Sequence, residues 1–265
     1  MLRTPWVEPA YLETDAAWCE PGGEPAGPLA NGGAFGGKAA SGVSDTARRL
    51  ADQHGRPVLV LLSREDTVRN GPKRPPVSGG ATADGRGVLR VVRTPGIAEV
   101  VATVAPELAV VEVDVPGPPT STAIRAAGWA EALVLLAGAR GTNAPVASPD
   151  GAVATAEIDD SRIEVAVRCG DPLDELVLRS YCVGAAHMAW SWVTSEALAV
   201  SDEGIPLDLT VRSFGVVRAT ETPRIEVRIE PDDGEPVNGS DAVFTAVAAA
   251  TWLHRGTPAD WPTGP

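Results

Sequence analysis

The chain predicts an α+β protein, in which strands and helices mix without the regular βαβ succession of a parallel α/β fold. Three observations carry that prediction. Apolar runs of strand length recur at 58–62, 88–92, 108–115, 152–158, 162–168, 207–214 and 224–229. Apolar spacing of helical period appears at 43–54, 126–139, 173–200 and from 240 or 241 to 254. A stretch rich in Gly, Asn, Pro and Ser at 140–152 divides the chain into two halves, 1–145 and 146–265.

Taken in order, residues 1–38 are rich in Gly and Pro and read as a loop-dominated entry segment. Val43, Ala47, Leu50 and Ala51 then share one helix face, with Ser44 or Asp45 as cap and Gly55 and Pro57 as stop. The run 58–62 is a continuous apolar run of strand length, and 69–87 a polar loop with Pro72, Pro75, Pro76 and paired glycines. Strands follow at 88–92 and 108–115, then an Ala- and Leu-rich helix. In the second half a hairpin turns at Asp159-Asp160, and a long helix starts near Asp171-Pro172. Two more strands and a closing helix complete the chain. The three prolines within 256–265 predict a frayed end.

Composition narrows the function classes. Hydrophobic residues are 44% and charged residues 22% of 265, as in a soluble globular protein. The formal charge of -13 repels phosphate backbones and anionic lipid, so neither nucleic acid nor a membrane surface is expected as a partner. No apolar run approaches the roughly 20 residues that span a bilayer. The start lacks the apolar core of a secretory signal. Cys19, Cys169 and Cys182 are widely spaced and form no CxxC pair, which argues against a zinc site or iron–sulfur cluster built from this chain alone. An odd number of thiols without a signal predicts reduced cysteines and a cytoplasmic location.

The segment richest in chemistry is Asn31-Gly32-Gly33-Ala34-Phe35-Gly36-Gly37-Lys38. Glycines on both sides of one aromatic ring let backbone N–H groups approach an anion or a flat polar ring. The helix that follows adds positive potential at its N-terminus. The spacing departs from the phosphate-loop pattern, since Ala39 follows Lys38, and no strand precedes it as dinucleotide binding requires. The alternative reading is a plain glycine turn. Arg125, within Ser121-Thr122-Ala123-Ile124-Arg125-Ala126-Ala127-Gly128, is a fixed cation at a strand-to-helix junction. It can hold an oxyanion, or it can be tied in a salt bridge to Glu131 or Glu112.

NGGAFGGK resembles the GGGFGGK signature of the molybdopterin-binding large subunit of the xanthine dehydrogenase and aldehyde oxidase family. Further pieces resemble that family in the same order. They are Val7-Glu8-Pro9, Arg56-Pro57, Ser63-Arg64-Glu65-Asp66, the polar stretch 69–75, and the T-x-x-R-x-x-G pattern around Arg125. The region 181–204 with its Ser195-Glu196 ending and Thr222-Pro223-Arg224-Ile225-Glu226-Val227 complete the series. The resemblance implies that 1–145 and 146–265 correspond to the first and second molybdopterin-binding domains. It also implies a molybdenum–molybdopterin cofactor held by Gly32, Gly33, Ala34, Phe35, Gly36, Gly37, Lys38 and Arg125. The implied activity is hydroxylation of a heteroaromatic or aldehyde substrate. The implied partners are iron–sulfur and flavin subunits or a larger molybdenum subunit.

The resemblance fails at the catalytic base. The family's GEPP glutamate has no counterpart, and the matching region reads Val237-Asn238-Gly239-Ser240-Asp241. A base must reach the proton it removes. Asp241 could substitute, but Ser240-Asp241 also reads as a helix cap. His187, in an apolar helix, reads as a hydrogen-bonded core residue, and Met188, Trp190 and Trp192 as core. The alternative to the oxidoreductase reading is a non-catalytic homologue with a structural or assembly role.

Overall fold

A computed structural model describes residues 1–9, 13–27, 35–40 and 42–264. Its architecture is α+β, as the sequence predicts, built on two four-stranded mixed sheets and a two-stranded one. The first sheet has the order β1 (Leu2–Arg3), β4 (Val77–Ala81), β5 (Gly87–Val92), β6 (Leu108–Val113). Its β5–β6 pair is parallel, and α3 (Ile97–Val104) makes the crossover. The second sheet has the order β10 (Arg224–Ile229), β9 (Arg162–Arg168), β8 (Val153–Ile158), β7 (Val146–Ala147). There β8 and β9 form the expected hairpin, and β10 lies parallel to β9. The small sheet pairs β2 (Ala16–Cys19) with β3 (Val58–Leu61) and is backed by α1 (Val43–His54).

The closing helix α6 (Gly239–His254) is apolar on all sides, and almost all of it is buried. A helix with no polar face belongs in a core. It packs against α4 (Trp129–Arg140), α5 (Glu175–Thr194) and strand β8. Trp192 stacks on Phe244 at 5.1 Å between centroids, and Trp261 meets Trp192 edge-on at 4.7 Å. Gly138 is where α4 can accept the Trp252 ring, since a Cβ there would lie 2.2 Å from it.

Several expected elements differ. The stretch 69–87 is not all loop: it holds the end of α2 (Arg64–Asn70) and all of β4. Helix α3 was not foreseen. Gly42, not Ser44 or Asp45, occupies the N-cap of α1, without a side-chain cap. The long helix is shorter than 173–200, because Asp174 caps its start and Ser195 closes it. No strand forms at 207–214. Asp208 Oδ1 accepts from the Thr210 N–H at 3.4 Å and Ser213 Oγ donates to the Thr210 carbonyl at 2.5 Å, so local bonds bend the chain into a 3₁₀ turn. The described part of the C-terminal segment is not frayed. Trp261 is buried, and its N–H donates to the Arg3 carbonyl at 2.9 Å.

Candidate functional site

The pocket that brings the motif residues together lies between residues 35–36, the segment 121–125, the start of α5 and the entry to α6. Its volume is about 580 Å³. Each wall has a local cause. Gly36 has φ +90°, and a Cβ there would fall 1.6 Å from the Ala123 carbonyl oxygen. Only glycine lets this segment lie flat on residues 123–125. The Arg125 N–H donates to the Phe35 carbonyl at 2.9 Å, which ties the two segments together. Phe35 also has positive φ, at 46°, and its ring lies 4.7 Å from the Arg125 guanidinium carbon.

Arg125 is buried at the edge of the pocket. Its Nε lies 3.3 Å from Asp241 Oδ1. It also donates to Ser240 Oγ at 3.4 Å and approaches Met188 Sδ at 3.8 Å. Burial lowers the guanidinium pKa, and the Asp241 carboxylate offsets part of that. Asp241 and Ser240 are in the first turn of α6, whose cap is Asn238: its Oδ1 accepts from the Ser240 N–H at 3.1 Å and from Ser240 Oγ at 2.8 Å. The reading of Ser240-Asp241 as the cap is therefore corrected by two residues, and this frees Asp241 to meet Arg125.

The opposite wall belongs to α5 and contributes Asp174, Val177, Leu178 and Tyr181. Asp174 Oδ1 accepts from the Leu176 and Val177 N–H groups at 2.8 and 3.1 Å. Cys169 also lines the pocket. Burial pushes its thiol pKa up, and the charge of Asp232 adds to that.

Two buried ion pairs adjoin Arg125 in the fold, linked to it through Arg74. Arg74 lies against the stacked pair of Trp192, 4.4 Å away, and Phe244, 4.8 Å away. It donates to Glu131 Oε1 at 2.5 Å and to the Arg125 carbonyl. Glu131 Oε2 accepts from the Gly128 N–H at 2.7 Å. The expected Arg125–Glu131 or Arg125–Glu112 pairing is thus not formed; Glu112 instead accepts from the Thr94 N–H at 3.1 Å. Lys73 pairs with Glu8 at 3.0 Å, both fully buried. Burial raises the Glu8 pKa to about 7 against the pull of Lys73.

Of the residues expected at a cofactor site, Phe35, Gly36 and Arg125 meet at this pocket. Gly37 begins a 3₁₀ turn, Gly37–Ala40. Lys38 is not in the lining and pairs with Glu13 at 3.4 Å. Gly32, Gly33 and Ala34 lie outside the described residues. His187 Nε2 meets the Val217 carbonyl at 2.9 Å, outside the pocket lining; it is hydrogen-bonded as expected but half-buried rather than in the core. Sequence reading missed Asn238, Asp174 and Tyr181. The first two carry a legible signal, an Asn or Asp just before a helical apolar run. Among the described residues, no group of three or more His, Cys, Asp and Glu could hold a metal ion. No described helix is long and apolar enough to cross a membrane.

No family model matches the chain, and no curated protein matches it. Among solved structures, it is similar to quinoline 2-oxidoreductase from Pseudomonas putida 86, with 11% identity and a TM-score of 0.34 over 72% of this chain and 37% of that one. It is similar to reconstituted CO dehydrogenase from Oligotropha carboxidovorans, with 12% identity and a TM-score of 0.32 over 68% of this chain and 34% of that one. A Cu,Mo-CO dehydrogenase in the carbon monoxide reduced state gives 12% identity and a TM-score of 0.29, with the same coverage of 68% and 34%. The chain thus spans about a third of the length of each of these solved chains.

Proposed function

We propose that this chain is a non-catalytic, ligand-binding homologue of molybdenum hydroxylase subunits, with a structural or assembly role. The observation that carries this reading is the state of the two carboxylates in the pocket. A general base must be held where it reaches the group it deprotonates, and both carboxylates are instead held in structural contacts through Oδ1. Asp241 is engaged by Arg125, and Asp174 caps α5. The absence of the family's glutamate motif points the same way.

The lining also bears on the cofactor. Phe35, Leu178 and Tyr181 suit a flat heterocycle. The charges do not suit the phosphate-bearing molybdenum–molybdopterin cofactor that the sequence resemblance implies. Among the described lining residues one arginine faces two carboxylates, and that arginine already has a counter-ion. Lys38, the other cation of the motif, is paired elsewhere. The described residues therefore do not fit that cofactor, and no chemical step is assigned to it.

One observation favours a second reading, a molybdopterin-binding subunit of a xanthine dehydrogenase-like oxidoreductase. The Phe35-Gly36 and Arg125 motif elements interlock through a backbone hydrogen bond and a ring contact. On that reading, electrons would leave through iron–sulfur and flavin subunits, or through a larger molybdenum subunit. Elemental analysis of protein purified from its own host separates the two, combined with an assay on purines and aldehydes using an artificial electron acceptor. The proposal expects substoichiometric molybdenum and no turnover. Stoichiometric molybdenum with turnover would overturn it in favour of the second reading.

A further inference from the structure

Helix α5 begins as an apolar ridge with little covering it. Leu173 is 97% exposed, Leu176 75%, Tyr181 60% and Val177 49%. Within the first ten residues of the helix only Cys182 is buried and only Leu178 is half-buried. Large aliphatic and aromatic side chains grouped in this way mark an interaction surface rather than ordinary scattered exposure.

The surroundings of the ridge define what can cover it. The stretches 171–175 and 232–235 carry six carboxylates and no lysine or arginine: Asp171, Asp174, Glu175, Asp232, Asp233 and Glu235. Two hydrogen bonds hold these stretches side by side, Asp171 N–H to the Gly234 carbonyl at 2.9 Å and Gly170 N–H to Asp232 Oδ2 at 3.0 Å. All six are exposed except Asp232, which is half-buried. Arg179, on the same helix, is engaged by the Val227 carbonyl, and Arg168 is the cation that faces Asp232, leaving the border acidic on balance. The result is an apolar ridge with an acidic border.

We infer that this ridge is the docking site for a different protein chain, one that presents an apolar groove flanked by lysine and arginine. Charge selects that occupant. A second copy would set one acidic border against another, in a chain whose net charge is already -13. An anionic lipid surface is repelled for the same reason. A basic border on the partner matches the six carboxylates, and apolar contacts at the centre supply the affinity. Leu173, Val177 and Tyr181 also line the pocket, so the bound partner covers part of its mouth. The inference rests on exposure and charge and holds whatever the pocket contains.

The test places a photo-reactive benzoyl-phenylalanine at Leu176 in the full chain, produced in its own host and irradiated in the cell. The expected product is a single heteromeric adduct whose cross-linked surface carries lysine or arginine. The double variant Asp233→Lys, Glu235→Lys, checked for folding by circular dichroism, should lose that adduct. Purified partner should bind Leu173→Ser, Leu176→Ser at least about tenfold more weakly than wild type, the size expected when central apolar contacts are truncated. An adduct with a second copy, an adduct with lipid, no adduct, or an adduct indifferent to charge reversal overturns the inference.

Discussion

Replacing Asp241 with Asn should destabilise the protein, and the structure sets the scale. Arg125 is buried, and Asp241 is its carboxylate partner at 3.3 Å. Removing one member of a fully buried pair typically costs about 3–5 kcal/mol, because a charge is left without compensation. Two features reduce that figure here. The Asp241 side chain is 24% exposed, so water reaches the pair. Asn also keeps an oxygen that can accept from the guanidinium, and Phe35 still covers its face at 4.7 Å. The expected loss is about 2–3 kcal/mol, which for a chain of this size lowers the melting temperature by about 4–12 °C. The assay is thermal unfolding of the wild type, Asp241→Asn, Arg125→Met and the double variant, which isolates the coupling between the two side chains. A coupling near zero would show that Arg125 needs no counter-ion. Turnover that disappears in Asp241→Asn at unchanged melting temperature would make Asp241 a base, and would refute the reasoning behind a non-catalytic pocket.

Two further predictions concern a pocket glycine and a buried carboxyl outside the pocket. Gly36→Val should cost about 2–4 kcal/mol, through the positive φ and the contact of its Cβ with the Ala123 carbonyl, and urea unfolding measures it. Gly55→Ala, where φ is +59° and a Cβ would meet nothing, is the control and should cost only about 1–2 kcal/mol. Glu196 is buried and its pKa is raised from 4.5 to about 7, with Ser191 and Arg74 opposing the effect of burial. A raised acid gives stability that is complete below pH 4.5 and is lost as pH rises to about 7. Glu196→Gln should therefore match wild type near pH 4.5 and exceed it by on the order of 1–3 kcal/mol at pH 8; equal stability at both pH values would sink this.

Much of the fold was legible because its elements are periodic and punctuated. Helix α1 shows one apolar face and stops at Gly55, whose φ of +59° is the left-handed cap expected there. The β8–β9 hairpin shows alternating burial that its sequence announces. What was missed lacks apolar periodicity, although the Ser63 cap of α2, with Asp66 three residues on, was readable. Helix α2 is short and mostly polar, with only Thr67 and Val68 buried. Strand β4 reads as loop because of Gly79 and Gly80. Yet Gly79 faces the Leu135 side chain, where a Cβ would come within 2.9 Å, so the glycine makes room for α4 against the sheet. Helix α3, which the sequence reading leaves unassigned, is rich in valine, and tertiary packing of Ile97 and Val101 overrides that residue's preference for strands.

The site was legible as a place and not as a chemistry. The glycine segment and Arg125 are recognisable as motif elements, and residues 36 and 123–125 are in contact. The partner of Arg125 was not readable, because it is decided by competition between distant segments. Glu131 lies near Arg125 in sequence, but it is taken by Arg74, which packs against Trp192 and Phe244. Arg125 is then left to the start of α6, and the side chain available there depends on where that helix is capped. Capping at Asn238 puts Asp241 in the first helical turn. A motif of this kind specifies backbone approach and the position of a cation. Whether the cation can receive an anionic ligand depends on the residue facing it: with a neutral side chain at position 241 Arg125 would lack a counter-ion, and with Asp241 that place is filled from within the fold.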